Sequence, residues 1–148
     1  AFAEAPPRWQ IMLQGWLMGA ILPTGWGKRL FARMLHIPPE ATSAYLQSIS
    51  ALSMPAYKRI IRQIAEYTPP PGMDAVTVPT LFVTGAADIP FNRNAVKTLA
   101  QQVSGAVGVY APEVHHGWNG EAPDLFNAMT RAWFEDQPLP PSLIPALP

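Results

Sequence analysis

Between Val78 and Tyr110 the chain carries two short apolar runs separated by one stretch of helical periodicity, and this arrangement limits the fold more than any other feature. The run Val78-Pro79-Thr80-Leu81-Phe82-Val83-Thr84 is apolar and β-branched, and Gly85 closes it. A strand covered on both faces has this composition, because neither face needs polar residues. Asn92 to Ser104 reads as a helix with Ala95, Leu99 and Val103 along one face. Val107 to Tyr110 is a second strand, ended by Pro112. Strand, helix, strand at this spacing implies a right-handed crossover in a parallel sheet. Pro123 to Glu135 follows as a last helix, with Leu125, Phe126, Met129, Trp133 and Phe134 as its core-facing stripe. The expected fold class is therefore α/β, with a parallel sheet of two strands and flanking helices. The tail QPLPPSLIPALP, residues 137–148, is expected to be extended and weakly ordered.

Residues 1–67 follow a different grammar. Helices are expected over about Trp9 to Leu22, over GKRLFARML, and from Pro39 through ATSAYLQSISAL. A fourth begins with Ser53 as N-cap and Pro55 in its first turn, where the missing N–H is harmless. Ile60, Ile61 and Ile64 give that helix an apolar face at helical spacing. The segment TPPPG, Thr68 to Gly72, stops it and opens a Pro-rich linker over residues 68–77. The apolar stretch from Trp9 to Trp26 is broken by Gln10, Gln14 and Pro23, so it falls short of the ~20 residues a spanning helix needs. These polar breaks suit a lid helix better than a membrane-surface one, although tryptophans near both ends resemble an aromatic belt. No basic region precedes the apolar residues at the start, which argues against a signal peptide. A cytoplasmic location is the expectation.

Composition removes several function classes. Ten basic residues balance ten acidic ones, so the basic excess of a dedicated nucleic-acid binder is missing. With no cysteine, disulfides, thiolate catalysis and Cys-based zinc sites are excluded.

Function in open α/β sheets gathers beyond the carboxyl ends of the strands. Gly85-Ala86-Ala87-Asp88 follows the first strand, and Pro112-Glu113-Val114-His115-His116-Gly117 follows the second. An Asp and a His therefore leave the same edge of adjacent strands. A carboxylate there accepts the imidazole Nδ1–H, fixes the tautomer and stabilises the imidazolium of general-base catalysis. The bland reading of Asp88 is a turn-forming Asp after Gly, and that of His116 is a surface-loop histidine.

The segments VPTLFVTGAADIPFNRNAVKTLAQQV and YAPEVHHGWNGEAPDLFNAMTRAWF resemble the last two strands, acid turn and histidine loop of the α/β-hydrolase superfamily. His116, Glu121 and Pro123 match a spacing common after that family's catalytic histidine, and Phe126-Asn127 match the start of its last helix. The resemblance implies that His116 is the triad base and Asp88 the triad acid, in the order nucleophile, acid, histidine along the chain. It covers Val78 to Phe134; residues 1–67 look like the family's variable helical cap. Two departures stand out. His115 occupies the place of a usual glycine, so the loop backbone is expected to differ. Ser43, Ser48, Ser50, Ser53, Ser104 and Ser142 all lie outside any Gly-x-Ser-x-Gly-like turn, and the oxyanion loop is missing too. The chain is therefore expected to be a carboxy-terminal fragment, or one half of a split protein, and the first residue being Ala1 fits the former.

Other candidates divide between chemistry and structure. His115 reads as a packing neighbour, because adjacent side chains on an extended segment point apart. Glu121 reads as a charge complementing a helix start. Trp118 is a candidate substrate contact on the leaving-group side, or a cover for the histidine. Trp16 is a second substrate-binding candidate, with Trp9, Trp26, Met12 and Met18 as further apolar lining or as ordinary lid core. The expected activity is hydrolysis of an ester or related acyl bond of a small apolar substrate, with no cofactor and no metal. The expected partners are that small molecule and the missing amino-terminal half, not nucleic acid or membrane. The alternatives are a non-catalytic piece that binds a partner through its sheet edge, and a dehalogenase or epoxide hydrolase with an Asp nucleophile.

Overall fold

The computed structural model describes residues 6–67 and 71–147, which divide into two compact units at the Pro69–Pro70 bond. The earlier unit is helical: α1 (Arg8–Ile21), α2 (Gly25–Met34), α3 (Pro39–Ala51) and α4 (Met54–Glu66). Local chemistry sets these ends. The Thr24 hydroxyl accepts from Gly27 N–H to open α2, and Ser53 does the same for α4 through Ala56 N–H. α1 packs on α4 through its small residues: a Cβ on Gly15 would meet the Ile61 side chain, and the Tyr57 hydroxyl donates to the Gly15 carbonyl at 3.1 Å. The buried face of α4 is thus Tyr57 and Ala65, with Ile61 half-buried between them. This corrects the isoleucine face, since Ile60 and Ile64 are exposed. Spacing alone cannot choose between two apolar stripes one residue apart, and the glycines of α1 select the tyrosine stripe.

The later unit is mixed α/β. After a 3₁₀ turn at Met73–Ala75 come β1 (Leu81–Gly85), α5 (Pro90–Gln102), β2 (Val107–Ala111), α6 (Trp118–Glu121), α7 (Pro123–Phe134) and β3 (Ile144–Pro145). Thr68 to Pro70 of the expected linker lie outside the described residues. β1 and β2 pair in parallel, Leu81 opposite Val107 and Gly85 opposite Ala111. Period-2 alternation on β2 then assigns the two faces. Gly108 looks onto Val96 and Ala100 of α5, and Tyr110 donates its hydroxyl to the Arg93 carbonyl on the same helix. Val109 and Ala111 enter the opposite core with Val114, Trp118, Met129 and Leu143. The sheet is therefore covered on both faces, as the strand composition requires.

Three expectations need correction here. Val103, the C-cap of α5, is buried as expected, but within the helix the buried residues are Val96 and Ala100, each one position later than Ala95 and Leu99, because these two face Gly108 of β2. Phe134, the last residue of α7, lies outside the core at 83% exposure. The tail is ordered into the unit: β3 pairs antiparallel with β2, Leu143 and Ala146 are buried, and Ala146 N–H donates to the Gly108 carbonyl. The sheet thus has three strands of mixed direction, not two parallel ones. Among the described residues, no helix is long and apolar enough to cross a membrane.

Candidate catalytic dyad

The carboxyl ends of β1 and β2 lie side by side, and the loops that leave them are joined by backbone hydrogen bonds. Ala86 N–H donates to the Ala111 carbonyl, and Ala87 N–H to the Val114 carbonyl at 2.9 Å. Gly85 permits this approach, because a Cβ there would collide with the Val114 and His115 carbonyls. Glu113, two residues before His115, takes a left-handed backbone conformation (φ 61°) and turns the chain after β2.

Asp88 ends the β1 loop, is 6% exposed and carries a fully engaged carboxylate. Oδ2 accepts from the Thr84 hydroxyl at 2.5 Å, and Oδ1 from Ile89 N–H at 2.7 Å. The Asn92 amide nitrogen lies 2.9 Å from Oδ1 and 3.0 Å from Oδ2. Burial pushes this carboxyl up, but the hydrogen bonds from Thr84, Asn92, His116 and Ile89 outweigh it and hold the group below the ordinary carboxylate range. The amino-terminal end of α5 begins at the next residues and favours the same ionised form.

His116 Nδ1 is 3.0 Å from Asp88 Oδ2. Its side chain is 70% exposed, and Nε2 has no hydrogen-bond partner among the described residues. With Asp88 ionised, the neutral ring places its proton on Nδ1, which leaves the exposed Nε2 lone pair available as a base. The two site residues read from the sequence are therefore brought together.

His115 turns the other way and pairs with Glu121. The Glu121 carboxylate accepts the His115 N–H at 3.0 Å and stands 2.9 Å from its Nδ1. Glu121, the acidic residue in the single turn of α6, thus also clamps the histidine loop. Trp118 is taken up by the core, 5% exposed and edge-on to Phe126 with ring centroids 5.0 Å apart. In the helical unit, Trp16 and Met12 line a cleft of about 370 Å³ between α1 and α4, with Gly19, Tyr57 and Ile61. Trp9 and Trp26 are exposed and outside that cleft.

Sequence reasoning passed over Thr84 and Asn92. Both stand four residues from Asp88, one before and one after. The periodicity starts the helix at Asn92, whereas α5 begins at Pro90, which puts Asn92 in the first turn facing back on the carboxylate. Comparison with family models, with curated proteins and with solved structures finds no match.

Proposed function

We propose that this chain is the carboxy-terminal portion of an α/β-hydrolase, with residues 1–67 as its helical cap and Asp88 and His116 as the acid and base of its triad. One observation carries the reading: a buried, fully hydrogen-bonded carboxylate aims Oδ2 at Nδ1 of an exposed histidine, beyond the carboxyl ends of adjacent parallel strands. The reaction is hydrolysis of an ester or related acyl bond of a small apolar substrate. His116 Nε2 takes the hydroxyl proton of a nucleophile as its oxygen bonds to the acyl carbon. The imidazolium, stabilised by Asp88, then returns that proton to the departing alcohol. A water molecule, activated by the same nitrogen, cleaves the acyl-enzyme and releases the acid. The nucleophile and the oxyanion donors belong to a segment outside these 148 residues.

The test joins this chain to that segment and follows p-nitrophenyl ester hydrolysis. His116→Ala should abolish turnover with the fold intact, and Asp88→Asn should cost about 10⁴-fold in kcat by losing control of the tautomer. Full activity in the His116 variant sinks the triad. Turnover of haloalkanes or epoxides in place of esters would move the nucleophile to an Asp.

One observation favours a second reading, a non-catalytic piece that takes up a partner. Among the described residues β1 pairs only with β2, while β3 covers the other edge of β2. An open strand edge is a template for an added strand. A tight complex with the remaining half that lacks any hydrolytic activity would support this alternative.

A further inference from the structure

Four donors converge on the Asp88 carboxylate, but only one besides the ring itself also reaches the ring. Thr84 serves Oδ2 alone, and Ile89 N–H serves Oδ1 alone. The Asn92 amide nitrogen touches both oxygens and lies 3.0 Å from His116 Nδ1 as well. Asn92 Nδ2, Asp88 Oδ2 and His116 Nδ1 thus form a triangle with sides of 3.0 Å. The amide must present its nitrogen, because its oxygen would otherwise face two carboxylate oxygens.

A neutral imidazole has one proton to place. On Nδ1 it makes a charge-assisted bond to Oδ2 and leaves Nε2 free. On Nε2 it turns the Nδ1 lone pair toward the carboxylate, with only an Asn92 N–H to meet it. The charge-assisted bond is the stronger of the two, provided that Oδ2 stays aimed at Nδ1. Rotation of the carboxylate about Cβ–Cγ breaks both Asn92 contacts together. The mostly exposed ring offers little resistance of its own.

We propose that Asn92 is a positioning residue for the general base: its amide bridges both Asp88 oxygens, aims Oδ2 at His116 Nδ1, and so keeps the proton on Nδ1 and Nε2 free. This rests on the dyad reading, and the test separates the two. The ¹⁵N-labelled 148-residue chain is studied by two-bond ¹H–¹⁵N correlation at a pH where His116 is neutral. The wild type should show mostly Nδ1–H. Asn92→Leu keeps the size and removes the donor; the ratio of Nδ1–H to Nε2–H should fall roughly three- to tenfold, the worth of one net hydrogen bond. Asn92→Ala gives the same readout if the leucine variant fails to fold, as judged by its amide spectrum. Thr84→Val, which removes an Oδ2 donor without approaching the ring, should leave the ratio within about twofold. An unchanged ratio in a folded Asn92 variant, or a raised one, which would mean that the Asn92 N–H chiefly serves the Nδ1 lone pair, overturns the role of Asn92 while the dyad stands. An equal fall in Thr84→Val also overturns it, because any carboxylate donor would then serve. A wild type dominated by Nε2–H overturns the dyad itself.

Discussion

Gly85 ends β1 against the Val114 carbonyl, which occupies the space where a Cβ would stand. The consequence is geometric. Ala87 N–H reaches that same carbonyl at 2.9 Å, and Asp88 follows in the chain. Gly85→Ala should force the two loops apart, because the obstructing atoms are backbone and cannot rotate away. Overpacking of this kind costs about 1–3 kcal/mol and sometimes more. Thermal unfolding should show the loss, and the Nδ1–H resonance of His116 should weaken with it. A variant of wild-type stability with an intact resonance would mean that the approach of the loops is not needed to hold the dyad.

Asp88 predicts an acid limb to stability. Its carboxyl lies below the ordinary range in the folded chain, where burial raises it but the bonds from Thr84, Asn92, His116 and Ile89 prevail. The unfolded chain therefore takes up this proton first as the pH drops. The stabilisation is complete above about pH 4 and is lost as the pH falls through the lower folded value. Asp88→Asn removes it. Denaturant midpoints should decline from about pH 4 downward in the wild type, and less steeply in the variant. Equal slopes would show that the carboxylate contributes nothing through its hydrogen bonds.

Much of this was legible in the residues, for reasons that can be named. The strand–helix–strand order follows from β-branched runs around a helical period, and that order alone puts Asp88 and His116 on one edge. What escaped depended on contacts across the sequence. Tyr57, Ile61 and Ala65 form the packed stripe of α4, leaving Ile60 and Ile64 outside, because Gly15 lies against Ile61 and Gly19 against Tyr57. Glu121 became a clamp because a four-residue helix turned it back on His115, and so short a helix leaves no periodic trace. The proline-rich tail looked unstructured by composition, yet its few apolar side chains find a ready strand edge.

The clamp yields its own prediction. Glu121 holds the His115 backbone and ring with two oxygens while its side chain is only 14% exposed. Glu121→Ala leaves a backbone N–H without its acceptor, at a cost of about 1–3 kcal/mol. The loop carrying His116 should then exchange its amide protons faster, while those of α5 stay protected. Hydrogen exchange resolves the two regions. Uniform loss across the unit would instead mark Glu121 as a general stability residue.

The tail supports the sharpest stability prediction, because it closes an edge and fills a core at once. Leu143 is 8% exposed and belongs to the cluster around Val109, Ala111, Trp118 and Met129, and Ala146 is 7% exposed beside Gly108. Pro145 pairs opposite Val109 but has no N–H to offer, which suits a strand that ends a sheet and discourages a further one. Truncation after Gln137 removes both functions: it uncovers core side chains and bares the β2 edge. Leu143→Ala separates them, since it empties the core position while the β3 backbone remains. The point variant should lose about 2–5 kcal/mol, as large-to-small core substitutions do, without becoming prone to associate. The truncated chain should lose more and should also self-associate through the bared edge, which light scattering would report as growth in mass with concentration. If truncation cost no more than Leu143→Ala and left the association state unchanged, β3 would act as a core plug alone, and edge protection would have to be dropped.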